Sequence, residues 1–281
     1  MAAMDPLVHR IRTTYDGLPL GERKLAEVIL EMGGDFAAYS ATELAARAGI
    51  SKATAARLVR RLGYADFHDM RHQARANHHN GSPLAELTTT PAPGETLTQH
   101  LAHDVASLTR TIETFPAEHV QAAVNLLAKA PRLTVIGFRN SYPLAFYARD
   151  LLVQVRSQVR LLPLPGQTIS EEFSQLGPDE AVLAIGFRRR PPTLSRILRI
   201  ARQAGAPVVL VGDTSLGDTA KSASVVFRCL SRGSRLFDSY VAPMSLLNYL
   251  CSGIALALGA GAQERLRRIE TLHDALGDLE A

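Results

Sequence analysis

The chain has 281 residues, carries 31 Lys and Arg against 27 Asp and Glu for a net charge of +4, and is 46% hydrophobic. That length buries a substantial core and predicts two domains, and the mild basic excess permits a nucleic-acid partner without requiring one. Two cysteines, Cys229 and Cys251, lie in apolar surroundings without metal-ligand spacing, which argues against a disulfide scaffold or a metal site and for reduced core thiols in the cytoplasm.

Residues 1 to 12 lack the apolar segment of a signal peptide. Residues 5 to 16 predict a first helix, broken by Gly17-Leu18-Pro19, and 22 to 31 predict a second with Leu25, Val28 and Ile29 on one face. Residues 40 to 63 spell two short helices joined by a tight turn. Ser40 and Glu43 form a capping box at the first start, Gly49 supplies the left-handed conformation that ends that helix, and Ser51 caps the next. In the second of these helices Ala55, Val59 and Leu62 recur at i, i+4 and i+7 and can pack on Leu44 and Ala48. The opposite face carries Lys52, Ala53, Ala56, Arg57 and Arg60. From Leu44 to Ala65 there are five basic residues (Arg47, Lys52, Arg57, Arg60, Arg61) and no acidic one. An exposed helix with small and cationic side chains is what major-groove reading demands. The expected DNA-contact set is Ser51, Lys52, Ala53, Thr54, Ala56, Arg57, Arg60 and Arg61, with Arg57 at a base edge and Arg60 and Arg61 at phosphates. The plainer alternative is a two-helix hairpin with a solvated basic face, in which Arg57 pairs with an acidic neighbour such as Glu43.

Residues 66 to 77 continue helically, and from 80 to 95 the composition shifts to Gly, Ser, Thr and Pro, as in a linker. Beyond it short apolar runs alternate with helical patterns. Helices are expected over 96–114, 117–129, 142–156 and 193–204, and strands over 133–137, 159–162, 181–186, 207–212 and 224–229. Such alternation predicts a parallel sheet covered on both faces, with ligands at the carboxyl ends of its strands. The loops to watch are 137–142, 186–193 and 212–218. The uncharged run 239–263 resembles a membrane span in length, but Pro243 interrupts it early and Ser245, Asn248 and Ser252 form a polar stripe. That pattern suits a soluble helix packed on a sheet or a second subunit.

A helix–turn–helix unit joined to a five-stranded α/β domain resembles the RpiR (MurR/RpiR) family of bacterial transcriptional regulators. Leu18 to Leu30 looks like that family's first helix, and Glu43 to Tyr64 followed by Asp66-Phe67 looks like its recognition unit. The C-terminal part is similar to the sugar isomerase (SIS) domain of those regulators, through its strand order and the run Val135 to Ser141. The resemblance implies an all-α helix–turn–helix domain over 1–80, a linker over 81–95 and an α/β SIS-type domain with a five-stranded parallel sheet over 96–281. It further implies a double-stranded DNA operator, a homodimer or homotetramer, no membrane, and a small anionic effector such as a sugar phosphate or related acid.

Where SIS phosphate loops offer several hydroxyls, this chain reads Gly186-Phe-Arg-Arg-Arg-Pro-Pro-Thr193. Three adjacent guanidiniums before a positively polarised helix start repel one another, and an anion among them relieves the repulsion. The expected effector set is therefore Gly137, Arg139, Asn140 and Ser141 on the first loop, with Arg188, Arg189, Arg190 and Thr193 on the second. The alternative is a solvated arginine run, or one paired with acidic residues of a partner subunit. An isomerase would need a carboxylate base and a histidine. Glu171, Glu172, His103, His119 and His273 are the candidates, but carboxylates in a polar loop and histidines on helices are more often solvated surface. No zinc spacing, nucleophile elbow or Walker-type loop occurs, so neither cofactor nor metal is expected. The expectation is a regulator without catalytic activity; an SIS-fold sugar phosphate isomerase and an effector-free DNA-binding regulator are the alternatives.

Overall fold

The computed structural model describes residues 6–32, 36, 39–77, 96–234 and 236–278. They form two compact units, the first containing the described residues up to 77 and the second those from Thr96 onward apart from residues 236–237. The linker expected over 81–95 lies outside the described residues.

The first unit is helical: α1 (Pro6–Thr14), α2 (Leu20–Met32), α3 (Ala41–Arg47), α4 (Lys52–Arg61) and α5 (Phe67–Asn77). α1 stops two residues before the predicted end and tightens into a 3₁₀ turn at Tyr15–Gly17. The reciprocal cap forms at α3, where the Ser40 hydroxyl accepts the Glu43 amide at 3.2 Å and the Glu43 carboxylate accepts the Ser40 amide at 2.7 Å. Gly49 has φ +63°, and the Ser51 hydroxyl accepts the Thr54 amide at 3.2 Å to start α4. Ala55, Val59 and Leu62 are buried with Leu44 and Ala48 in one core, as their spacing predicts.

Two arginines fasten this unit. Arg10 donates to the Leu62 carbonyl at 2.9 Å, and its guanidinium lies 4.7 Å from the Tyr64 ring centroid. The Arg61 Nε donates at 2.8 Å to Glu22, whose side chain is 3% exposed, so the end of α4 is tied to α2.

The second unit is a three-layer sandwich. Its strands β1 (Arg132–Gly137), β2 (Val159–Leu162), β3 (Glu180–Gly186), β4 (Val208–Gly212) and β5 (Val225–Arg228) are all parallel, in the order β2-β1-β3-β4-β5. The helices are α6 (Leu97–Ile112), α7 (Ala117–Lys129), α8 (Tyr142–Val155), α9 (Ile169–Glu172), α10 (Pro192–Gln203), α11 (Val241–Leu258) and α12 (Ala260–Leu276). Successive residues of a strand point to opposite faces, and both faces are filled. On β3, Leu183 and Ile185 pack with Val124, Leu144 and Leu247 of α7, α8 and α11, whereas Val182 and Ala184 pack with Leu194 and Leu198 of α10. At the amino edge of the sheet the buried Glu180 accepts from Arg160 Nη2 at 2.7 Å and from the Thr134 hydroxyl, binding β1, β2 and β3 together.

Pro243 and α12 depart further from the sequence-based expectation. Pro243 does not interrupt the apolar run, because it lies in the first turn of α11, where a missing N–H leaves no hydrogen bond unmade. α11 is long and apolar enough to cross a membrane, with a mean hydropathy of 1.6, yet Leu246, Leu247, Leu250 and Ile254 are buried in the core of the sandwich. α12 was not anticipated: only Ala262 of it is buried, so it carries little amphipathic signal, and Gly259 at φ +56° turns the chain into it.

The Arg61–Glu22 pair gives a direct expectation. Arg61→Ala strands a buried carboxylate and should lower the unfolding free energy in urea by about 1–3 kcal/mol. Arg60→Ala, at an exposed position, should stay within about 0.5 kcal/mol. Equal effects of the two substitutions would show that the pair holds nothing.

Candidate functional site

The outer face of α4 presents Lys52, Ala53, Ala56, Arg57 and Arg60 to solvent, and Ser51 is exposed at its cap. Arg57 does not pair with Glu43, which is engaged in the α3 cap. Its Nη2 donates instead to the Thr54 hydroxyl at 3.1 Å, and that hydroxyl lies 3.0 Å from the Ser51 hydroxyl. The guanidinium is thus held over the start of the helix by a chain of two hydroxyls. Arg61, expected at a phosphate, binds Glu22 through its Nε while its side chain stays half-exposed.

The carboxyl ends of β1, β3 and β4 bring three loops together. A Cβ on Gly137 would stand 2.5 Å from the Ser141 carbonyl oxygen, and one on Gly212 would stand 2.5 Å from that of Gly186. Only glycine lets these loops turn off the sheet so closely. The first loop is a 3₁₀ turn, Arg139–Ser141, leading into α8. Ser141 is buried, and its hydroxyl accepts the Phe187 amide at 3.2 Å, so it braces the second loop. Asn140 is exposed, and its side chain lies close enough to Tyr240 to favour the ionised form of that hydroxyl. The Tyr240 ring meets Phe187 edge-on at 5.2 Å. Burial, then the neighbouring Asp238 carboxylate, push the Tyr240 pKa up against the lowering effect of Asn140 and Arg188.

The three arginines do not form one cradle. Arg188 donates from Nε at 2.8 Å and from Nη2 to the two oxygens of Asp238, a bidentate pair, while its amide donates to Asp213 at 2.7 Å. Arg190 donates from Nη1 to the Ser215 hydroxyl at 2.9 Å and lies 3.8 Å from Asp213. Burial lowers its pKa, and Asp213 opposes that shift. Asp213 itself, 6% exposed, also accepts the Ser215 amide at 3.0 Å and the Ser215 hydroxyl at 2.6 Å. Arg189 is exposed with φ +59°, and its carbonyl accepts Arg139 Nη1 at 3.2 Å. Arg139 is likewise exposed, with φ +54°. Thr193 is exposed in the first turn of α10. Contrary to the expectation from sequence, the arginine run needs no outside anion: two aspartates of the same chain already neutralise Arg188 and Arg190.

Asp213, Ser215, Asp238 and Tyr240 were not among the expected site residues. Asp213 was within reach of sequence reasoning, because an Asp directly after a strand-ending glycine is well suited to cap the following turn. Asp238 stands 50 positions from its partner and carries no local signal. The isomerase candidates are engaged elsewhere. Glu171 accepts the Thr168 amide at 3.0 Å and Glu172 pairs with Arg160 at 3.0 Å, at the amino end of β2. His103 and His119 bond the carbonyls of Arg232 and Val226, and His273 bonds Asp278. Among the described residues no three His, Cys, Asp or Glu side chains are grouped to hold a metal.

A family model described as the helix-turn-helix domain of the rpiR family matches residues 6–80, and one for the SIS domain matches residues 126–252. The HTH-type transcriptional regulator HexR of Pseudomonas aeruginosa is 25% identical over 282 residues, covering 95% of each chain. The solved structure of the Vibrio vulnificus NanR protein complexed with ManNAc-6P covers 96% of this chain and 98% of its own, at a TM-score of 0.60 and 17% identity. The sugar isomerase domain of an RpiR transcription factor from Sphaerobacter thermophilus covers 62% of this chain and 97% of its own, at a TM-score of 0.58 and 23% identity. At these identities the two structures establish the fold alone. A cationic helix–turn–helix unit matching the rpiR-family model, followed by a five-stranded SIS sheet, with an HTH-type transcriptional regulator aligned along nearly the whole length, makes this chain a member of the RpiR family of DNA-binding transcriptional regulators.

Proposed function

We propose that residues 1–80 bind an operator in duplex DNA through α4, and that residues 96–281, joined by a linker over 81–95, sense a small anionic metabolite such as a sugar phosphate. The observation that carries the reading is the acid-free outer face of α4, with Lys52, Arg57 and Arg60 exposed around small residues. Alanines let the backbone approach the groove floor, and guanidiniums match guanine edges and phosphates. Ser51 and Thr54 serve as positioning residues for Arg57 as well as for the helix start. Arg139 and Arg189, exposed side by side on two loops, support an acidic effector, and the phosphosugar in the NanR complex makes that ligand class the first to test. The protein acts here without catalysis, a reading supported by the separate engagement of Glu171, Glu172 and the three histidines.

A homodimer or homotetramer fits the same reading. α6 leaves Leu97, Leu101, Val105 and Ile112 exposed along one side, and α11 leaves Val241, Tyr249 and Leu256 exposed. A second copy of the sandwich would cover such apolar faces.

Footprinting on DNA upstream of its own gene should show two protected half-sites about one helical turn, or a multiple of it, apart. Binding indifferent to sequence would overturn the operator reading. Arg57→Ala should cost about 1–3 kcal/mol of operator affinity and relax specificity at one base pair, while Arg60→Ala should weaken all sequences alike and reduce the salt slope by about 1. Light scattering at micromolar concentration should find a dimer or larger; a monomer would remove the role given to the apolar faces of α6 and α11.

A further inference from the structure

Arg188 holds Asp238 with the parallel two-bond fork that guanidinium groups use for phosphates and carboxylates in general. The pair sits at the carboxyl end of β3, on the edge where ligands of open α/β sheets bind. Its two neighbouring anions are held very differently. Asp213 is fixed by the Arg188 amide, the Ser215 amide and the Ser215 hydroxyl beside Arg190. The Asp238 carboxylate, on the segment leading into α11, is held among the described residues by Arg188 alone. Around them the loops carry an excess of guanidiniums, since Arg139 and Arg189 are exposed and offset by neither aspartate.

We infer that Asp238 is an internal stand-in for the effector's acid group, and that an incoming phosphate or carboxylate takes the Arg188 fork from it. The inference rests on the reading of the SIS unit as an anion sensor and names how that sensor is gated. A phosphate brings nearly two charges and three acceptor oxygens against the single charge of a carboxylate, and Arg139 and Arg189 lie where they attract it first. Exchange has a structural reach beyond Arg188. Tyr240, two residues past Asp238 at the cap of α11, packs on Phe187 of the second loop and lies beside Asn140 of the first. Release of Asp238 therefore loosens a segment that touches both effector loops and the start of α11. The pair also sets specificity, because a neutral sugar has no group with which to open it.

The experiment is titration calorimetry on the full chain with inorganic phosphate and a panel of hexose 6-phosphates, using wild type, Asp238→Asn, Asp238→Ser and Arg188→Ala. If the pair is closed about nine-tenths of the time, removing the competing carboxylate tightens apparent binding about tenfold. Both Asp238 variants should show that gain, and Arg188→Ala should lose binding at least as strongly. Two Asp238 variants are used so that one folding poorly, as judged by circular dichroism, leaves the other to decide. Wild type and Asp238 variants binding a hexose phosphate equally well would overturn the exchange while leaving the sensor reading intact. Specific operator binding with no response of any variant to phosphate or to the panel would overturn both, and would mark Asp238 as a permanent substitute for a ligand this chain no longer takes.

Discussion

A charge taken out of water has to be answered by another charge or by hydrogen bonds, and the carboxyl edge of the sheet is arranged around that requirement at Asp213. Its carboxylate, almost wholly buried, gathers the Arg188 amide, both donors of Ser215 and the Arg190 guanidinium. This one group joins the loops after β3 and β4, sets the direction of the arginine run, and leaves Arg188 aimed at Asp238. Ser141 does the same from the other side by accepting the Phe187 amide. The loops are thus pre-ordered by interior polar contacts, so that little conformational freedom would remain to be lost on binding the proposed effector.

The helical unit uses the same economy at smaller scale. Its packing is apolar, but its orientation is pinned by Arg10 on the Leu62 carbonyl and by Arg61 on Glu22, both at the end of α4. Those two contacts hold the far end of the helix, and the Ser51–Thr54–Arg57 chain orders its start. Arginines that look alike in a basic run therefore separate into those that build the helix's seat and those that face outward.

Much of this was legible in the residues and some was not. The caps at Ser40 and Ser51, the left-handed Gly49 and the stripe Ala55–Val59–Leu62 are local signals, and each has the conformation its chemistry demands. The five strands were readable because a parallel sheet buried on both faces needs unbroken apolar runs. The partners of Arg61 and Arg188 were not readable, since Glu22 lies 39 positions away and Asp238 lies 50, and only the folded chain brings them together. α12 escaped for a different reason: a helix that buries one alanine need not carry a periodic apolar face.

The two left-handed arginines at the rim bear on how this protein can be changed. A non-glycine residue in that conformation costs about 1 kcal/mol, so glycine at 139 and 189 is the change a protein engineer seeking heat resistance would try early. It would also strip the rim of its two outward-facing cations. If the rim receives the effector as proposed, ruggedness and sensing pull in opposite directions at these positions, and thermostable variants selected without regard to effector response would emerge deaf to it.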